Sequence, residues 1–356
     1  MTAATRPGST ISRSWSFQQD LDDILIRMDH LWPDLRGARL FMTGGTGFIG
    51  CWLLEALRHA NIAHQLGLHV TILTRNPGDF SRKAPHLTAY EHFRFLQGNV
   101  AEFPIPDGDF SHVIHAATDA SADLNDNNPR LMFETIMQGT RRTLDVAVEK
   151  KAERTLFLSS GAVYGQQPWE MECVGEDWLG ALDCTNAKNA YGEGKRGAEM
   201  LCAIYRKQFG VHITTARIFS LLGPHLPLGV HFAAGNFILD AMQGKTVVVQ
   251  GDGRPHRSYL YTSDLTVWLL HLLLRGKPVS YNVGSDESVS IADLARLVSQ
   301  TIGNGQFEIL GKSDSGWNPG RYVPKTELVG NELDLYRTVS LTEAIRRTAT
   351  WNGWRG

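Results

Sequence analysis

Hydrophobic and polar positions change period several times along the chain. Between Phe17 and Leu31 the apolar residues Leu21, Ile24, Leu25, Met28 and Leu31 recur at helical spacing, which predicts an amphipathic helix. Asp20 and Asp22 near its start suit the positive end of a helix dipole, and the helix is expected to pack on the outside of the main domain. From Arg39 the pattern shortens. Arg39–Thr43 reads as a buried strand, and similar runs follow at Val70–Leu73, Phe93–Leu96, Val113–Ala116, Thr155–Leu158 and Ile213–Phe219. Helical patterns separate several of them: one to about His59, one over Pro129–Lys150 and one over Ala190–Phe209. Strands alternating with helices predict an α/β fold, a doubly wound parallel sheet covered on both faces.

After Gly223 the alternation weakens. A loop rich in Pro, Gly and His (Gly223–Gly235) leads to a helix, a short strand at Thr246–Gln250 and the segment Gly251–Asp264, with later helices at Ile291–Ile302 and Leu341–Trp351. The expected organisation is an extension over 1–36, a Rossmann-type dinucleotide-binding domain over 37–222 and a smaller, mainly substrate-binding region over 223–356, some of which returns to the sheet. A chain of 356 residues exceeds what one hydrophobic core usually serves, which favours this division.

Charge narrows the partners. Net charge is −2 and no long basic run occurs, so no nucleic-acid or membrane footprint is expected; an anionic ligand must be met by local arginines and backbone amides. No apolar run reaches a membrane span, and the N-terminal residues do not read as a signal peptide. Four cysteines without a CxxC pair fit buried residues in a reducing, cytoplasmic setting, with no metal site expected.

Candidate chemistry begins between the first strand and helix, where Gly44, Gly47 and Gly50 form GxxGxxG. Glycines there permit a tight turn and close approach of backbone to a pyrophosphate at a helix N-terminus. The second strand runs out into Leu73-Thr74-Arg75-Asn76 without a carboxylate. Arg75 tips the cofactor toward NADP by charge matching and leaves NAD open. Farther on, Tyr191 and Lys195 stand at i and i+4 on one helical face, and the strand before them delivers Ser160 to the same crevice. A phenol is a poor base at neutral pH; a nearby ammonium and an oxidised nicotinamide favour its phenolate, so Tyr191 is expected to move a proton while hydride moves to or from the cofactor.

With these motifs in order over about 39–300, the chain resembles extended short-chain dehydrogenases/reductases of the NAD-dependent epimerase/dehydratase type, which act on nucleotide sugars. The matching residues are Thr43 to Gly50, His115-Ala116-Ala117, Ser159 to Gly165, Tyr191 to Lys195, Ala216-Arg217 through Gly223-Pro224, and Arg257 to Leu265. The resemblance implies Ser160, Tyr191 and Lys195 as the catalytic trio. It places the dinucleotide against Gly44, Thr46, Gly47, Phe48, Ile49, Gly50, Arg75, Asn99, Val100, Ala116, Ala117 and Thr118, with Tyr191 and Lys195. A nucleotide-diphosphate sugar would meet Asp119, Ser160, Ser220, Asn236 and Arg257. Family members often dimerise through two long helices, here about 130–150 and 190–209, which implies a homodimer.

The chain departs from the family pattern in places. Dehydratases of this type carry an Asp-Glu pair after the catalytic hydroxyl, where this chain has Gly161 and Ala162. Ile136 stands where an asparagine is usual, Asn99 replaces an aspartate, and Ser220 replaces an asparagine. The leading expectation is a C4 epimerase working through a keto intermediate. An NADPH-dependent reductase of 4-keto sugars comes next, favoured by Arg75. Then comes a 4,6-dehydratase recruiting acid and base from Asp119 or Asp123, and last a non-catalytic cofactor sensor.

Overall fold

The computed structural model describes residues 15–118, 122–230, 232–312 and 318–356. The predicted alternation forms one parallel sheet of seven strands: β1 (Arg39–Thr43), β2 (His69–Thr74), β3 (Phe93–Gln97), β4 (His112–His115), β5 (Arg154–Ser160), β6 (Ile213–Ile218) and β7 (Ser280–Val283). Across the sheet they run β3-β2-β1-β4-β5-β6-β7, and every neighbouring pair is parallel. The winding reverses between β1 and β4, which opens a crevice at their carboxyl ends.

Both faces are covered, so the strands bury residues pointing either way. On β1, Leu40 and Met42 join one core while Phe41 joins the other; on β5, Leu156 and Leu158 are divided from Phe157 in the same way. Helices Phe48–His64 and Thr262–Arg275 cover the first face. Residues 262–274 of the second helix are all buried, as expected of a helix apolar on most sides. Helices Pro129–Glu149 and Ala190–Phe209 cover the opposite face. They approach closely at two glycines: a Cβ added at Gly194 would lie 3.1 Å from Ile136, and one at Gly197 would lie 2.7 Å from the Met137 sulfur.

The remaining chain builds small sheets above the crevice. His256–Arg257 pairs with both Val289–Ser290 and Arg321–Tyr322, and Leu260–Tyr261 pairs with Leu221–Leu222. Val247–Val249 pairs with Phe307–Ile309.

The N-terminal helix differs from expectation. It spans Phe17–Arg27, a 3-10 turn follows at Trp32–Leu35, and Leu21, Ile24 and Met28 enter the main core instead of resting outside it. Asp20 is 1% exposed; its carboxylate accepts from Tyr261 Oη at 2.5 Å and Arg347 Nη1 at 2.6 Å. A buried pair, more than the helix dipole, explains an aspartate at this position. Arg27 meets the buried Asp264 at 2.8 Å, tying the same helix to Thr262–Arg275. Among the described residues no helix is long and apolar enough to cross a membrane.

Candidate active site

At the carboxyl end of β1, Gly44 takes φ +74°, and a side chain there would strike the Ala116–Ala117 backbone at 2.5 Å. Gly50 is closed as well, since its Cβ would fall on the backbone of Gly44 and Gly45. Gly47 is different. An added Cβ would meet only the Gly44 carbonyl at 3.4 Å, so the protein's own packing does not demand glycine there. Gly47 is the N-cap of Phe48–His64. Bare backbone at a helix N-terminus, with donor N–H groups and partial positive charge, fits the pyrophosphate of a dinucleotide.

The other expected cofactor residues gather around this loop. Phe48 and Ile49 form the first helical turn and pack on the core. Thr46 Oγ1 lies 3.0 Å from Thr74 Oγ1, coupling the loop to the end of β2, and exposed Arg75 follows. Asn99 organises the turn after β3: its Oδ1 accepts from Ala101 N at 3.1 Å and its amide donates to Glu102 at 3.2 Å. Val100 contacts Gly139 on Pro129–Glu149. Ala116 N donates to Thr43 O at 3.1 Å and Ala117 N to Thr43 Oγ1 at 3.3 Å.

Ser160, Tyr191 and Lys195 lie at the same end of the sheet. The Tyr191 backbone N–H donates to Asn125 Oδ1 at 3.1 Å, fixing the first turn of Ala190–Phe209, and the Ser160 side chain favours the Tyr191 phenolate. Ser160 Oγ also accepts from Ala162 N at 3.2 Å. One turn on, Lys195 is 3% exposed and donates to Thr118 Oγ1 and Leu158 O, each at 2.8 Å. Behind it, His115 is held by Thr43 at 2.7 Å and Thr140 at 3.0 Å, and burial pushes its pKa down to about 3, so it stays neutral.

Burial dominates the electrostatics. It pushes the Lys195 ammonium down to about 7, opposed by Glu199 and then Cys202. It pushes the Tyr191 phenol up, opposed by the hydrogen bond from Ser160. The expected lowering of the phenol by Lys195 therefore does not dominate in the protein alone, because desolvation of the ring outweighs it. Ile136, where a polar residue was the family habit, is 1% exposed and packs against the same helix at Gly194, keeping that side of the site dry.

Gly161 and Ala162 also have a structural explanation. A Cβ at Gly161 would lie 2.6 Å from the Phe219 ring, so the space an acidic side chain would need is filled. Among other acids near the site, Glu193 faces Arg196 at 3.9 Å and Asp123 accepts from Asn127 at 2.7 Å. Asp119 lies outside the described residues.

On the substrate side, Arg257 donates to His256 O at 2.8 Å, and its charge faces Tyr322 and Tyr259. Nearby in the chain, Asp252 pairs with Arg254 at 2.5 Å. Ser220 O accepts from Leu260 N at 3.0 Å, three residues beyond Arg257. Asn236 sits on helix Ala233–Met242 with a buried Oδ1 that has no hydrogen-bond partner among the described residues. Tyr322 was not anticipated. Its hydroxyl lies 3.4 Å from Ser160 Oγ, its ring stacks on Phe219 with centroids 4.6 Å apart, and burial raises its phenol well above the usual range. Nothing local marks it; only the pairing of Arg321–Tyr322 with His256–Arg257 brings it in. Among the described residues no group of three His, Cys, Asp or Glu side chains is placed to hold a metal ion.

Comparison with known proteins agrees with this geometry. UDP-glucuronic acid decarboxylase 1 of Xenopus tropicalis is 31% identical over 310 residues, covering 87% of this chain and 71% of that protein. The UDP-glucose 4-epimerase of Thermotoga maritima shares the fold at TM-score 0.74 and 20% identity, over 88% of this chain and 98% of that one. The UDP-glucuronic acid 4-epimerase of Bacillus cereus, solved with UDP-glucuronic acid and NAD, aligns at TM-score 0.73 and 22% identity over 88% and 98%. The family model described as NAD dependent epimerase/dehydratase family matches residues 40–284, and the chain belongs to that family of enzymes.

Proposed function

We propose that this enzyme is a nucleotide-sugar 4-epimerase. A bound NAD or NADP supplies the hydride acceptor and donor for the sugar carbon. Tyr191 takes the proton of the C4 hydroxyl as the ketone forms and returns it to the opposite face after the sugar has turned. Ser160 holds that oxygen by hydrogen bond, and protonated Lys195 favours the phenolate form of Tyr191. Arg257 meets the diphosphate with a charge that suits it, and Asn236 offers an unspent polar group nearby.

The carrying observation is the Phe219 ring at Gly161. Eliminating water across C5 and C6 needs a base and an acid beside the catalytic serine; Phe219 leaves no room for one at position 161, and Ala162 carries no titratable group. A second reading is favoured by the decarboxylase relative at 31% identity. A C4 ketone next to a C5 carboxylate is a β-keto acid, which loses carbon dioxide without help from positions 161 and 162. Incubation with UDP-glucose, UDP-galactose and UDP-glucuronic acid, read by product mass and nicotinamide absorbance, tests these readings. A product of unchanged mass with no net absorbance change is expected. Loss of carbon dioxide makes the enzyme a decarboxylase, loss of water a dehydratase, and consumption of NADPH by a 4-keto sugar a reductase.

Exposed Leu131 and Phe133 on one long helix, with Met200 and Ile204 on the other, support a homodimer through that face, which light scattering checks. Four free cysteines, two of them buried, fit a reducing cytoplasm.

A further inference from the structure

Beneath Ser160, Tyr191 and Lys195 lies a part-buried ion pair that the chemistry above does not use. Glu199 follows Lys195 by one turn, so Tyr191, Lys195 and Glu199 share a face of Ala190–Phe209. Its carboxylate accepts from Ser159 Oγ at 2.6 Å and from Arg217 at 2.8 to 3.2 Å, through both Nε and Nη2. The two side chains are 13% and 15% exposed. Arg217, on β6, also donates to Tyr164 Oη at 2.8 Å and Glu176 O at 3.3 Å, and Tyr164 Oη donates to Asn282 at 2.7 Å. Ser159 is the residue before Ser160. The carboxylate thus holds the strand that presents the catalytic hydroxyl and the helix that presents the phenol and ammonium.

Among the described residues the direct partners of Lys195 are neutral, Thr118 Oγ1 and Leu158 O. Glu199 contributes most to favouring its charged form. The other groups facing the pair are Cys202 on the same helix, neutral His115 on β4, and Tyr164 and Glu176 around Arg217. Tyr191 faces Ser160 and Tyr322.

We propose that Glu199 is a positioning residue for the Ser160, Tyr191 and Lys195 chemistry: its part-buried carboxylate ties the Ser159–Ser160 strand end to the helix one turn beyond Lys195, with Arg217 as the counter-charge that keeps the pocket balanced. The inference rests on the reading of those three residues as the reacting trio. Loss of the negative charge leaves Arg217 uncompensated, which disfavours the Lys195 ammonium and favours the Tyr191 phenolate, so both groups lose protons at lower pH. Loss of Arg217 does the reverse.

The test is a titration of the Tyr191 phenolate by ultraviolet absorbance, without any sugar, as the difference between each protein and its Tyr191→Phe counterpart. Glu199→Gln is expected to lower the midpoint by about one pH unit, and Arg217→Gln to raise it by about the same amount. The double variant Glu199→Gln/Arg217→Gln is expected to return near the wild-type midpoint, and Glu199→Asp to stay there. A purely structural role leaves every midpoint unmoved, which overturns the proposal, as does a shift of both single variants in one direction. If Glu199→Gln does not fold, Arg217→Gln carries the test, because at the alkaline pH of a phenol titration the part-buried carboxyl stays ionised; an unmoved midpoint there refutes the idea. Opposite shifts in a protein that turns over no nucleotide sugar uphold the charge arrangement and remove the epimerase reading instead.

Discussion

Two loops close the crevice, and both depend on glycine for different reasons. In the loop from Gly44 to Gly50 the need is local: Gly44 and Gly50 are forced by backbone within or beside the loop, while nothing in the protein's own packing crowds a side chain at Gly47. In the loop from Ser159 to Gly165, Gly161 is forced by Phe219, a ring delivered from just beyond β6. The first loop declares its purpose in a stretch of seven residues. The second acquires its character from a residue far away in the chain, whose ring fills the space a side chain at position 161 would need.

The contrast between the loops is open to test. Removing the phenol that the serine loop serves gives the largest effect: Tyr191→Phe is expected to lower turnover by about 10²–10⁴-fold while dinucleotide binding, measured by calorimetry, persists. At the glycine loop, Gly47→Ala should weaken dinucleotide binding about tenfold or more with the melting temperature nearly unchanged, whereas Gly50→Ala should destabilise the fold itself by about 1–3 kcal/mol in a denaturant titration. Equal melting temperatures for the two variants would erase the distinction drawn between these glycines. Gly161→Ala should cost about 1–2 kcal/mol of stability, largely recovered when Phe219 is trimmed to leucine in the same chain. Tyr322→Phe, which removes one hydroxyl from Ser160, is expected to reduce kcat/KM by about 2–10-fold, read from initial rates. Smallest is Arg75→Ser: an exposed cation is worth little in water, so NADP affinity should fall about 2–5-fold in a binding titration and NAD affinity should hold.

The sequence made the sheet and the glycine loop legible because both are written in contiguous patterns: short apolar runs, a glycine triplet, and Tyr191 and Lys195 one helical turn apart. Tyr322 was not legible, since a two-residue strand carries no period and its meaning comes from pairing with His256–Arg257. The role of Phe219 at Gly161 was hidden for the same reason. Asp20 does sit in the first turn of its helix, as its position suggests, but its burial was not legible because its partner Arg347 lies far away in the sequence. Glu199 did leave a signal, an acid at i+4 from a lysine, but such pairs are common on exposed helices and only burial distinguishes this one.

The clasp between Asp20 and Arg347 bears on how the protein is made. The two residues are separated by 327 positions. At an elongation rate of about 5–20 residues per second, the carboxylate on the first helix emerges roughly 16–65 s before its guanidinium partner exists. During synthesis the first helix can collapse onto the glycine-loop helix through Leu21 and Ile24, yet its one buried charge has no counter-ion until the last helix leaves the ribosome. The clasp therefore closes only after the helix that carries Arg347 has been made.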